Sequence, residues 1–180
     1  MTQYLPVVPS PIEVFDYVYG ILHDPEYCQR YEQYLCRDFP RVPIINDPKS
    51  SKTKESFFVS EEMFRIYVAA GEKLRKLHLM QTKVSASLAF DPATPENMEI
   101  GSVKYKDGVI ELNANTKILG IPKNVWEYQI GGYQVLDKWF KSHKGEALTI
   151  HTYSHIENIV GLLIETIKVQ ESLEMHNKRG

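Results

Sequence analysis

Cysteine is nearly absent from this chain: Cys28 and Cys36 are the only two in 180 residues. Both fall in one expected helix, where a spacing of eight residues separates them by about 12 Å along the axis, too far for a disulfide. They read as ordinary thiols of a reducing compartment, which excludes a disulfide-stapled secreted scaffold. Long apolar runs are missing too. No segment approaches the roughly eighteen apolar residues of a membrane-spanning helix, and MTQYLPVVPSP at the amino terminus has no basic region of the signal-peptide kind. The expectation is a soluble cytoplasmic protein. Charge of one sign is also lacking, since 21 Lys and Arg stand against 23 Asp and Glu, a formal net charge of −2. No global basic field would hold this protein on nucleic acid, so any such contact must come from local patches.

Catalytic signatures are equally scarce. The sequence contains no GxGxxG or GxxxxGK[ST] phosphate loop, no HExxH, no GxSxG, and no Asn/Asp-Pro-Pro-Tyr tetrapeptide of amino-methyltransferases. Asp107 and Glu111 have the spacing of a nuclease acidic pair only superficially, because Asn113 stands where a lysine is needed and Asp107 is explained by a turn. His151 and His155 have the spacing of two metal ligands on one helical face, but no third ligand is indicated.

What is present is one good core's worth of apolar residues, 43% of the chain, and clear local punctuation. Ser10-Pro11-Ile12-Glu13 is an N-cap, a proline at the first helical position and a capping-box carboxylate. A helix to about His23, a break at Asp24-Pro25 and a second helix form a hairpin rich in tyrosine: Tyr17, Tyr19, Tyr27 and Tyr31. Ser60 caps a third helix, on which Phe64, Tyr67, Gly71, Leu74 and Leu77 recur at helical spacing down to His78. A Pro-containing stretch from about 80 to 98 follows. Asp107-Gly108 then signals a two-residue β-hairpin that sets Tyr105 opposite Ile110 and Lys104 opposite Glu111, with a third strand near 117–119. Gly131-Gly132 reads as a break between two helices, PKNVWEYQI and YQVLDKWFKSH. Thr149 caps a last helix with an apolar stripe at Ile156, Ile159, Val160, Leu163 and Ile167. The fold class expected is α+β, mostly helical with a small antiparallel meander. Residues 1–11 read as a lead-in of the kind left when a domain is cut from a longer chain, 12–172 as a single domain, and 173–180 as a frayed tail.

Five segments in order resemble a known family: FDYVYGILHDPEYCQRYEQYLCRDFPRVP (15–43), GEKLRKLHL (71–79), VKYKDGVIELN (103–113), GIPKNVWEYQIGGYQVLDKWFKSHKG (120–145) and IENIVGLLIETI (156–167). The chain resembles the C-terminal target-recognition domain of single-polypeptide restriction-modification enzymes of the Type ISP and related Type IIG class. The resemblance implies parents with an upstream N6-adenine methyltransferase domain using S-adenosylmethionine, often with nuclease and helicase-like translocase parts. It implies that this domain reads a short asymmetric sequence in double-stranded DNA and has no catalysis or cofactor of its own. Family members commonly carry arginine near the positions of Cys28 and His143, so no DNA-contact role passes to those two residues.

The candidate DNA-binding residues include Arg41, Lys49, Lys52, Lys54, Lys104, Lys106, Lys138, Lys141 and Lys144, of which the lysines of the hairpin and of the helix after Gly132 would hold phosphates. Loop residues in 46–56 and 80–100, together with Asn113 and Asn115, are the candidates for base edges. A further cluster, Lys73, Arg75 and Lys76, lies near a helix end, where the dipole alone accounts for basic residues. Two alternatives stand beside the reader. One is an architectural module bracing the methyltransferase domain through the tyrosine-rich hairpin. The other is a stand-alone metal-dependent hydrolase built on His151 and His155.

Overall fold

A computed structural model describes residues 9–42, 44–45, 58–94 and 98–177. It is an α+β fold that divides into two compact units, residues 1–82 with 168–180, and residues 83–167.

The first unit is helical. α1 (Pro11–Leu22) begins at the expected capping box: the Glu13 carboxylate accepts the Ser10 N–H at 2.7 Å, and Ser10 Oγ receives the Glu13 N–H. α2 (Pro25–Leu35) begins at Asp24, whose carboxylate accepts the Glu26 N–H at 2.9 Å. β1 (Ile44–Ile45) pairs in parallel with β2 (Phe58–Val59). α3 (Glu61–His78) is capped by Ser60, which accepts the Met63 N–H. α1 packs on α3 at a crossing so close that two glycines are obligatory. A Cβ on Gly71 would lie 1.7 Å from the Asp16 carbonyl oxygen, and one on Gly20 would lie 2.4 Å from that of Tyr67.

The core of this unit is Tyr17, Ile21, Tyr27, Phe64, Tyr67 and Leu173. The tyrosines expected as a bare interface are therefore core: Tyr17 and Tyr27 are only 5% and 8% exposed, and Tyr19 and Tyr31 are half-buried. Their rings pack at tilted angles, Tyr17 at 4.7 Å from Phe64 and Tyr27 at 4.9 Å from Tyr31, and Tyr17 meets Tyr67 edge-on at 6.0 Å. Burial is tolerable because hydroxyls find acceptors, as Tyr27 does on the Arg41 carbonyl at 2.9 Å. Cys28 and Cys36 are free thiols, and burial pushes the Cys28 thiol upward.

The second unit is built on an antiparallel sheet of β3 (Ala89–Asp91), β4 (Lys104–Lys106), β5 (Val109–Glu111) and β6 (Lys117–Leu119), in the order β3-β6-β5-β4. Asp107 and Gly108 both take positive φ, as a two-residue hairpin turn requires, and the register is the expected one, Tyr105 opposite Ile110 and Lys104 opposite Glu111. β3 was not expected. It lies in the stretch read as irregular, and only pairing with β6, some 28 positions later, makes AFD a strand.

A larger departure concerns Gly131 and Gly132. The helix expected through Ile130 is a single turn, α4 (Lys123–Trp126), followed by a hairpin of β7 (Gln129–Ile130) and β8 (Tyr133–Gln134), and then α5 (Val135–Ser142). One residue in left-handed geometry ends a helix, but here two consecutive residues adopt it, φ +57° and +82°. That pair of angles turns the chain back on itself with the twist of a strand pair, and glycine adopts both without strain.

α6 (Ile150–Asn177) starts at Thr149, whose Oγ1 accepts the Thr152 N–H at 3.0 Å. Of its expected stripe, Ile156, Ile159, Val160 and Leu163 are buried in the second unit's core with Ile110, Leu112, Ile118, Val125, Leu136 and Phe140, and Ile167 packs against it partly buried. The chain at 85–86 lies so near this helix that a Cβ on Gly161 would stand 2.9 Å from the Ala86 nitrogen. Past residue 173, where fraying was expected, α6 remains helical to Asn177, because Leu173 is buried in the first unit's core. No helix among the described residues is long and apolar enough to cross a membrane.

Candidate nucleic-acid interface

Strand alternation decides which residues of the second unit face water. Phe90, Ile118, Ile110 and Tyr105 line up across the sheet on its inner face. Tyr105 stacks on Trp126 at 5.0 Å, and Phe90 stacks on Tyr153 at 3.9 Å. The same registers place Asp91, Lys117, Glu111 and Lys104 in one row of the outer face, and Ala89, Leu119, Val109 and Lys106 in the other. The first row alternates in sign, and Lys117 takes Glu111 at 3.7 Å. Lys104 lies on the edge strand at the end of that row. Lys106 faces Val109, so no acid stands directly across from it.

The loop after β5 holds Asn113 and Asn115, which differ in what they offer. Asn113 Nδ2 donates to the Glu99 carbonyl and Asn113 Oδ1 accepts the Asn115 N–H, both at 2.8 Å. Its amide builds the loop as an Asx turn. The Asn115 side chain is exposed.

On α5, Lys138 places its ammonium 4.0 Å above the centre of the Tyr133 ring, while Lys141 pairs with Asp137 at 2.6 Å, four residues back. Lys144 stands exposed just beyond the helix. His143 is part of the scaffold: its Nδ1 lies 2.8 Å from the Trp139 carbonyl oxygen and its ring stacks on the indole at 4.1 Å. Arg41 is exposed in the first unit. Lys49, Lys52 and Lys54 lie outside the described residues, as does the base-edge stretch 46–56. The structure thus gathers Lys104, Lys106, Asn113, Asn115, Lys138, Lys141 and Lys144 in one unit and leaves Arg41 in the other.

Arg75 of the other basic cluster and several histidines are engaged within the fold, whereas His151 is exposed. Arg75 turns inward and grips the buried Asp16 carboxylate with two bonds, 2.6 and 3.0 Å. His155 packs against Trp139 at 5.7 Å, and among the described residues no three His, Cys, Asp or Glu side chains converge as a metal site. His78 is held down to about 4 by burial and by the neighbouring His23. Its Nδ1 shares a 2.7 Å hydrogen bond with the Tyr19 hydroxyl. These partners belong to the helical core, which explains the displacement without a ligand.

Sequence reasoning overlooked the β7–β8 hairpin. Gln129 stands opposite Gln134 and Ile130 opposite Tyr133. Ile130 and Tyr133 are 54% and 62% exposed, and Gln129 is exposed as well. The signal was available in QIGGYQ, where a mirror-related pair of residues flanks Gly-Gly.

The family model of the Type ISP C-terminal specificity domain matches residues 1–168. The chain belongs to this family. No curated protein sequence matches it. Solved structures share its fold, among them the following three. A nuclease-deletion mutant of the Type ISP restriction-modification enzyme LlaGI, in complex with a DNA substrate mimic, is 19% identical, with a TM-score of 0.64 over 91% of this chain and 14% of that one. The ATP-dependent Type ISP restriction-modification enzyme LlaBIII bound to DNA is 18% identical, with a TM-score of 0.65 over 94% of this chain and 11% of that one. The DrdV–DNA complex is 22% identical, with a TM-score of 0.67 over 91% of this chain and 18% of that one. The specificity domain therefore spans less than a fifth of each. Its two most distinctive stretches do different things. YVYGILHDPEY makes the close α1–α3 crossing through Gly20, whereas YQIGGYQVLDKW makes the exposed hairpin and the helix that carries Lys138.

Proposed function

We propose that residues 12–172 act as one non-catalytic target-recognition domain, reading a short asymmetric sequence in double-stranded DNA. It serves adenine methyltransferase and nuclease or helicase-like parts of the same polypeptide, the methyltransferase using S-adenosylmethionine. The observation that carries this reading is the match to a specificity-domain family over residues 1–168. The second unit supports it by presenting Lys104, Lys106, Lys138 and Lys144 to solvent around exposed amides. With a net charge of −2, affinity must come from such local contacts rather than from the whole molecule's field.

Salt dependence tests the phosphate assignment. Each lysine that neutralises a phosphate adds about 0.9 to the slope of log K against log salt. Lys104→Ala with Lys106→Ala, or Lys138→Ala with Lys144→Ala, is expected to weaken duplex binding and flatten that slope by nearly 2. Unchanged affinity and slope would overturn the assignment. Lys141, already paired with Asp137, is expected to matter less.

A second reading, a brace for the methyltransferase domain, is favoured by Ile12, Val14 and Phe15, which α1 leaves exposed. Exchanging C-terminal domains between two parent enzymes separates the readings. A transferred methylation sequence supports the reader, and an unaltered one supports the brace.

A further inference from the structure

Resting on the DNA-reading role just proposed, we infer that the β7–β8 hairpin is its base-reading element, a two-stranded ribbon entering the major groove with Gln129 directed at an adenine. The geometry is specific to a ribbon with two unlike faces. Because the Val135 N–H donates to the Tyr128 carbonyl at 3.1 Å, the flanking pair Gln129–Gln134 is the closer, non-hydrogen-bonded pair of the ladder. Its two amides share one face. Ile130 and Tyr133 share the other, and both are more than half exposed.

Apart from the Tyr133 ring, which carries the Lys138 ammonium, these exposed side chains are not what anchors the connection between α4 and α5. The hairpin is anchored at its base instead, where Val125 and Leu136 are buried on either side and Tyr128 and Val135 pack on the core. Its tip is bare: a Cβ on Gly131 or Gly132 would meet nothing within 4 Å. A narrow tip on a firm base suits entry into a groove that accepts a two-stranded ribbon. Glutamine supplies a donor and an acceptor in one plane, the pattern that matches N6 and N7 of adenine. Lys138 sits over Tyr133 at the hairpin's shoulder, and with Lys141 and Lys144 against Asp137 it gives α5 and the residues just beyond it a positive balance where groove-rim phosphates would run.

The experiment selects duplexes from a pool with randomised central positions, using the 180-residue chain and its Gln129→Ala variant, and repeats the winner with 7-deazaadenine in place of the preferred adenine. The wild-type chain is expected to enrich a site containing adenine. Gln129→Ala is expected to relax that position about tenfold or more, with an unaltered salt slope and melting temperature. The 7-deaza duplex should cost the wild-type chain a similar factor and cost the variant nothing further, a non-additivity that a folding defect does not produce. Identical enrichment by variant and wild type, while Lys138→Ala with Lys144→Ala still flattens the salt slope, overturns the hairpin inference and leaves the reader standing. A wild-type chain that binds no duplex and enriches nothing overturns both.

Discussion

In the first unit polar side chains turn inward and bond to one another: Arg75 grips Asp16, the Tyr67 hydroxyl donates to buried Asp24 at 2.6 Å, and Tyr19 meets His78. In the second, lysines and amides stand in solvent on a sheet face, a loop and a hairpin. A buried polar group that loses its partner leaves the other one desolvated and unsatisfied, so the first arrangement resists substitution. An exposed lysine or glutamine is replaced at little structural expense. A domain that distinguishes sequences benefits from exposed side chains of the second kind, which can change without unfolding the chain.

The largest effect that sharpens this contrast is expected at the helix crossing. Gly71→Ala drives a methyl into the Asp16 carbonyl and should destabilise the fold by about 3 kcal/mol or more, read as a shift in the urea midpoint. Next, Tyr67→Phe removes the donor to Asp24 and should cost about 1–3 kcal/mol by the same measurement. His78 predicts a pH dependence. Its protonation midpoint falls from an ordinary 6.5 to about 4 on folding, so between those values the unfolded chain binds more protons and stability rises with pH. This contribution is complete above about 6.5 and lost as pH falls toward about 4; His78→Gln should flatten that part of the stability profile. Smaller still, Gly131→Ala strains one positive-φ residue with open space around it and should cost about 1–2 kcal/mol at most. Lys106→Ala should change stability by less than about 0.5 kcal/mol while weakening DNA binding. A large loss of stability from Lys106→Ala, or a change of preferred DNA sequence from Tyr67→Phe, would break the comparison.

Much of the scaffold was legible because it is written locally. The caps at Ser10, Ser60 and Thr149, the turn at Asp107-Gly108 with its register, and the buried stripe of α6 each depend on residues within a few positions of one another. The candidate site was legible by type more than by arrangement. Lys104, Lys106, Lys138 and Lys144 are exposed as expected, but Asn113 is bound into its loop, and Lys141 into an ion pair. The hairpin was overlooked because VWEYQI also fits a helix, so that Gly-Gly was read as a helix stop although its flanks in QIGGYQ also fit a strand turn.

By itself the sequence determined the helix starts, the Asp107-Gly108 hairpin, the α+β class and, through the order of its segments, the family. Only tertiary structure decided that AFD pairs with β6, that Arg75 and Asp16 meet across 59 positions, that the tyrosines of the first hairpin are core, and that QIGGYQ doubles back as an exposed ribbon. The physical reason is range. Caps and turns are settled by neighbours along the chain, whereas burial, ion pairs and short strands depend on partners that folding alone brings within reach.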